Sequence, residues 1–107
     1  MKAIESVSEF NNLVKEGKPV FLDFYADWCG PCQTLLPTIE KLSEEFKDSV
    51  EVRKVNVDTQ RELAAKFGIK SIPALFFMKG NKVIERANGA LSESDLRNKL
   101  EALISKN

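Results

Sequence analysis

Val20-Phe21-Leu22-Asp23-Phe24-Tyr25, running into Ala26-Asp27-Trp28-Cys29-Gly30-Pro31-Cys32, decides how this chain folds. The first six residues are nearly all β-branched or aromatic, the pattern of a strand buried on both faces. Beyond Cys32, Leu35, Leu36, Ile39, Leu42 and Phe46 recur at helical spacing, with Glu40, Lys41, Glu44, Glu45 and Lys47 turned to water. A buried strand passing straight into a long amphipathic helix is the start of an α/β unit. Pro37 lies inside the helical stretch and predicts a kink.

The flanks repeat the alternation. Upstream, Ser6-Val7-Ser8-Glu9 has capping-box spacing, with Val7, Phe10, Leu13 and Val14 as an apolar stripe that Gly17 and Pro19 end. A short opening strand at Lys2–Ile4 is weakly marked. Downstream, a second strand runs near Glu51 to Val57, and Thr59-Gln60-Arg61-Glu62 starts a short helix that Gly68 stops. Leu75 to Met78 and Val83 to Ala87 read as strands joined by the hairpin turn Lys79-Gly80-Asn81-Lys82. A last helix begins near Ser92 and carries Leu96, Leu100, Leu103 and Ile104 inward. This order predicts a parallel sheet covered on both faces, with an antiparallel hairpin at one side.

Composition narrows the chemistry. The 107 residues suit one domain, 1–107, and leave no room for a second core. Hydrophobic residues at 43% and charged residues at 30% give the balance of a globular, water-soluble chain. Sixteen basic and sixteen acidic side chains cancel, so no general attraction to nucleic acid or to an acidic membrane surface is expected. No apolar run approaches the ~18 residues of a spanning helix. The opening Met1-Lys2-Ala3-Ile4-Glu5-Ser6 lacks the apolar core of a secretory signal, and a cytoplasmic location is expected. Two cysteines and no histidine make neither a disulfide-stapled scaffold nor a histidine-based catalyst. Chemistry here must run on sulfur, carboxylate or lysine.

Cys29 and Cys32 stand at i and i+3 where strand gives way to helix, which puts both sulfurs on one side of the first turn, close enough for a disulfide. Unpaired N–H groups and the positive end of the helix dipole favour a thiolate on the first cysteine. Cys29 is therefore the expected nucleophile, and Cys32, one turn in and more buried, the expected resolving thiol. Pro31 suits an early helical position, where its missing N–H has no partner to lose. Other uses of the spacing compete. A zinc or iron–sulfur half-site needs about four ligands, which this chain supplies only by sharing metal across a dimer. Haem attachment needs a histidine where Gln33 stands. A purely structural disulfide closing so short a loop stabilises little. Redox use is favoured.

Asp23 interrupts an apolar strand: buried it would be costly to ionise and its pKa should rise, unless the strand turns that side to solvent. Taken alone, Lys54 reads as an exposed strand lysine, Trp28 as a large core residue, Gly89 as a turn glycine and Pro73 as a trans proline.

The segment Phe24-Tyr25-Ala26-Asp27-Trp28-Cys29-Gly30-Pro31-Cys32 resembles the active-site segment of the thioredoxin family. The resemblance covers essentially the whole chain, through Asp23, Lys54 and Ile72-Pro73 in matching order. It implies the thioredoxin fold: α/β, a central mixed sheet of four to five strands flanked by about four helices, with a C-terminal antiparallel hairpin and helix. It also implies a general protein-disulfide reductase. In that role Asp23 is the acid/base that takes the Cys32 proton, Lys54 tunes Asp23, and Gly30 and Pro31 set the redox poise. Trp28, Ile72, a cis Pro73 and Gly89 form the substrate surface, where the Ile72 backbone pairs with an extended peptide. The implied partners are disulfide-containing proteins and a thioredoxin reductase, a flavoprotein that holds FAD and uses NADPH. The chain itself binds no cofactor or metal and works as a monomer. Tyr25, Gln33 and Ala74 depart from residues common in the family, tryptophan, a basic residue and threonine respectively; none removes a catalytic group. Two alternatives remain within this fold. A thiol oxidase or isomerase is disfavoured by Gly-Pro between the cysteines, and a non-catalytic binding module would tolerate loss of both thiols.

Overall fold

Ser6 starts the first helix as its residue type predicts. Its hydroxyl accepts the Glu9 N–H at 3.0 Å, and the Glu9 carboxylate accepts the N–H of Glu5 at 3.2 Å. The computed structural model describes residues 1–89 and 91–105. In chain order the elements are β1 (Lys2–Ala3), α1 (Val7–Lys15), β2 (Pro19–Tyr25), α2 (Gly30–Glu45), β3 (Glu51–Asn56), α3 (Arg61–Lys66), β4 (Ala74–Lys79), β5 (Lys82–Asn88) and α4 (Glu93–Ser105). Removing the cap with Ser6→Ala should cost about 1 kcal/mol, seen as a lower urea midpoint at unchanged slope. An unchanged midpoint would mean that Phe10 and Val14 packing alone holds α1.

The five strands form one sheet in the order β1-β3-β2-β4-β5. β3 runs parallel to β1 and β2, while β4 is antiparallel to both β2 and β5, so the expected mixed sheet is observed. Strand alternation divides the core in two. Val20, Leu22 and Phe24 of β2 pack with Phe10, Val14, Val55, Leu63 and Phe76 under α1 and α3. Phe21 packs with Val52, Leu75 and Phe77 under Leu35, Ile39 and Leu42 of α2 and Leu96, Leu100 and Leu103 of α4. Each face is stitched by rings: Phe21 stacks on Phe77 with centroids 4.7 Å apart, and Phe67 meets Phe10, Phe24 and Phe76 within 5.5 Å. Period two puts Asp23 on the same face as Phe21, under the helix that carries the cysteines.

Three expectations need correction. Ile104 is not turned inward: it is 37% exposed, because Leu96, Leu100 and Leu103 already fill the buried stripe and Ile104 sits about 100° round from Leu103. The third helix does not begin at Thr59. Gln60 occupies its cap position without a side-chain cap bond, and the preceding turn is closed instead by Asn56 Oδ1, which accepts the N–H of Asp58 at 2.8 Å and of Thr59 at 3.3 Å. Leu36 is only half-buried, so α2 packs on a narrower stripe than its leucines suggest. The helix remains unbroken through Pro37.

Candidate active site

β2 is the central strand, and its end aims the chain at the site. After Tyr25 the backbone passes buried Ala26 and turns, with the Cys29 N–H on Ala26 O at 3.2 Å, so that Cys29 becomes the N-cap of α2. Its Sγ accepts the Cys32 N–H at 3.2 Å, one of the amides a helix start leaves unpaired. The first turn of α2 holds no acidic residue to compete for its positive end. Pro31 is in that first turn, as expected. Cys29 and Cys32 are joined as a disulfide with Cα atoms 5.2 Å apart. Cys29 keeps 5% of its surface exposed and Cys32 1%, so the first cysteine is the more accessible, in the order the spacing predicts.

Ile72-Pro73 is a cis peptide bond, and the carbonyl oxygen of Ile72 lies 3.9 Å from Cys29 Sγ. The Ile72 N–H makes no backbone hydrogen bond among the described residues, and the residue is half-buried, so a peptide edge faces outward beside the disulfide. Gly89 N–H donates to Pro73 O at 3.0 Å, tying the start of β4 to the end of β5. Gly89 has φ +85°, a backbone glycine adopts at little cost, and a Cβ there would project into open space.

Asp23 is fully buried on the central strand, which removes the solvent-edge alternative. Neither carboxylate oxygen has a hydrogen-bond partner among the described residues. Burial, the larger effect, pushes its pKa up to about 7; the Lys54 charge pulls it part of the way back. Lys54 is Asp23's register partner on β3, half-buried rather than exposed, with its ammonium 5.6 Å from the centroid of the Tyr25 ring. Tyr25 itself packs against the cluster of Ala26, Cys29 and Cys32.

Trp28 is no core residue. It is 72% exposed and held by its indole N–H, which donates to Asp58 Oδ2 at 2.9 Å. With Val57, Arg61, Ala64, Ile69, Lys70, Ser71 and Ile72 it lines a groove of about 330 Å³. Sequence reading missed Asp58, Arg61 and Lys70. Trp28 and Asp58 are 30 positions apart, with no local pattern joining them, and the other two look like ordinary surface charges. Among the described residues no group of three or more His, Cys, Asp or Glu side chains converges as a metal site would need.

Comparisons with known proteins agree with this geometry. The thioredoxin family model matches residues 2–102. Thioredoxin 1 of Chlorobaculum tepidum is 46% identical over 79 residues, 74% of this chain and 78% of that one. The thioredoxin of Pyropia yezoensis is 37% identical over 93 residues, 87% of each chain. Among solved structures, the thioredoxin of Malassezia sympodialis superposes with a TM-score of 0.90 at 33% identity, covering 97% of this chain and 93% of that one. With a helix-capping Cys29–Cys32 pair beside a cis proline on this sheet, the chain belongs to the thioredoxin family of thiol–disulfide oxidoreductases.

Proposed function

We infer that this protein is a general protein-disulfide reductase working as a monomer in the cytoplasm, recycled by a separate NADPH-dependent flavoprotein reductase. The observation that carries the reading is Cys29 capping α2, its sulfur accepting the Cys32 amide and sitting beside the open edge of Ile72. An amide donor and the positive helix end favour a charged sulfur, an effect for which thioredoxins are themselves a standard example.

The cycle starts from the dithiol. The Cys29 thiolate attacks one sulfur of a substrate disulfide, forming a Cys29–substrate disulfide and releasing the first substrate thiolate. Ile72 holds the substrate backbone as an added strand while Gly89 leaves it room. Asp23 then takes the proton of Cys32 through an intervening water, with Lys54 opposite helping the carboxylate stay ionised. The Cys32 thiolate attacks Cys29 Sγ, closing the Cys29–Cys32 disulfide and expelling the second substrate thiolate, which collects a proton. Two electrons have moved from the pair to the substrate. The partner reductase, carrying FAD, returns two electrons from NADPH and reopens the disulfide.

The test is NADPH oxidation with insulin as substrate and a thioredoxin reductase present. Rapid NADPH loss that requires all three components is expected. NADPH loss no faster than with insulin and reductase alone, while the reductase reduces a small-molecule disulfide normally, would overturn the reading.

A further inference from the structure

The groove beside the disulfide carries a charge pattern that the exchange chemistry does not need. Its apolar surface comes from Val57, Ala64, Ile69, Ile72 and the Trp28 ring, and the charged residues lining it are both cations, Arg61 and Lys70. Both are exposed, and neither forms an ion pair with a carboxylate among the described residues. Arg61 is instead steadied by backbone: its Nε–H donates to Asp58 O at 3.3 Å, which leaves the terminal guanidinium nitrogens for a ligand. Three acidic residues neighbour the groove residues in sequence, Asp27, Asp58 and Glu62, but none lines the groove, and Asp58 gives a carboxylate oxygen to the Trp28 indole. Ile72 belongs both to the groove and to the contact with Cys29 Sγ, so a peptide bound along the Ile72 edge passes these cations on its way to the sulfur.

We propose that Arg61 and Lys70 are specificity-determining residues, and that they select substrates whose disulfide lies in an extended segment carrying glutamate or aspartate next to the cystine. This rests on the reductase reading above and adds to it the class of substrate segment. The apolar floor takes side chains near the cystine, and the two cations take the flanking carboxylates. Charge complementarity at an exposed rim acts mainly on encounter and is screened by salt, so the preference belongs in kcat/KM and fades as ionic strength rises.

Three peptide disulfides of identical length decide it, with glutamate, glutamine or lysine on both sides of the cystine and leucine in the remaining positions. At low salt the glutamate peptide should be reduced with a kcat/KM about fivefold above the glutamine peptide, and the lysine peptide about fivefold below it, the scale of one or two exposed ion pairs. In 0.5 M salt, on the order of a 4 Å screening length, the three should converge. A double variant, Arg61→Glu with Lys70→Glu, should invert the order of the glutamate and lysine peptides. The ratio within one protein sample is the readout, so a partly inactive preparation does not disturb it. Equal rates for all three peptides, with the glutamine peptide well reduced, would defeat the specificity assignment and leave the reductase standing. Failure to reduce any of them would defeat the reductase reading instead. A glutamate preference that survives the double variant or high salt would place the selectivity elsewhere.

Discussion

Cys32→Ser is expected to leave a protein that attacks its substrates and cannot let them go. Cys29 Sγ would still accept an amide at the start of α2, since that donor is the backbone N–H of residue 32 and survives the change of side chain. The first exchange therefore proceeds, and the covalent intermediate accumulates because no thiol one turn behind displaces it. Mixed with disulfide-intact insulin, the variant should show by mass spectrometry its own mass plus that of one whole insulin molecule, because a single attack opens one of the two interchain disulfides and the other still joins the chains; excess dithiothreitol should release it. Cys29→Ser should behave differently: no adduct, and insulin reduction down by on the order of a thousandfold or more, the scale of losing a covalent nucleophile. Two outcomes would reverse the assignment. Adducts on Cys29→Ser with none on Cys32→Ser would make Cys32 the attacking thiol, against its 1% exposure. Near-normal reduction by both would remove the pair from the chemistry.

How far this arrangement can be read from sequence depends on how local each cause is. The strand at Val20–Tyr25, the helix behind Cys32 and the order of the cysteines are written in neighbouring residues, because period, capping and the helix dipole act over a few positions. The depth of Asp23 was only half legible. Its neighbours announced a buried strand, but the exclusion of solvent from its own side depends on β3 and β4 flanking β2 and on α2 lying across that face. Lys54 shows the same limit in reverse: an exposed strand lysine becomes a half-buried charge once parallel register sets it opposite Asp23 and over Tyr25. Composition alone points Trp28 to the core, and only the family resemblance puts it at the site: an indole is a large apolar surface unless its N–H finds a partner at the rim, and here that partner, Asp58, comes from a different strand end. Ile104 was misplaced because an apolar residue beside a complete stripe looks like part of it. The cis form of Ile72-Pro73 has no local signature and came only with the family resemblance.

Asp23→Asn should make the protein more stable and a worse catalyst, and both effects should depend on pH. In the folded chain the carboxyl titrates at about 7 against 3.8 for an ordinary aspartate, chiefly because burial disfavours its charge. Below pH 3.8 the group is protonated folded or unfolded, and the native state keeps its full stability. As pH rises from there the unfolded chain ionises first, so stability falls until the folded carboxyl ionises too, near pH 7, and then levels off. A gap of about three pH units corresponds to about 4 kcal/mol. Asparagine is close in shape to the protonated acid and never ionises, so at pH 8 the oxidised variant should exceed the parent by about 2 to 4 kcal/mol in urea unfolding. At pH 4 the two should agree within roughly 1 kcal/mol. Catalysis should move the other way. If Asp23 removes the Cys32 proton, resolution of the mixed disulfide in the parent rises with pH through about 7, and in Asp23→Asn it slows by about a hundredfold and loses that inflection. The two halves separate the explanations. A stability gain without a slower resolution step would leave Asp23 as a buried charge with no part in the exchange. Equal stability at pH 4 and pH 8 would mean that the carboxyl is not held neutral by its surroundings, and with that the reason for its acting as a base near neutrality would disappear.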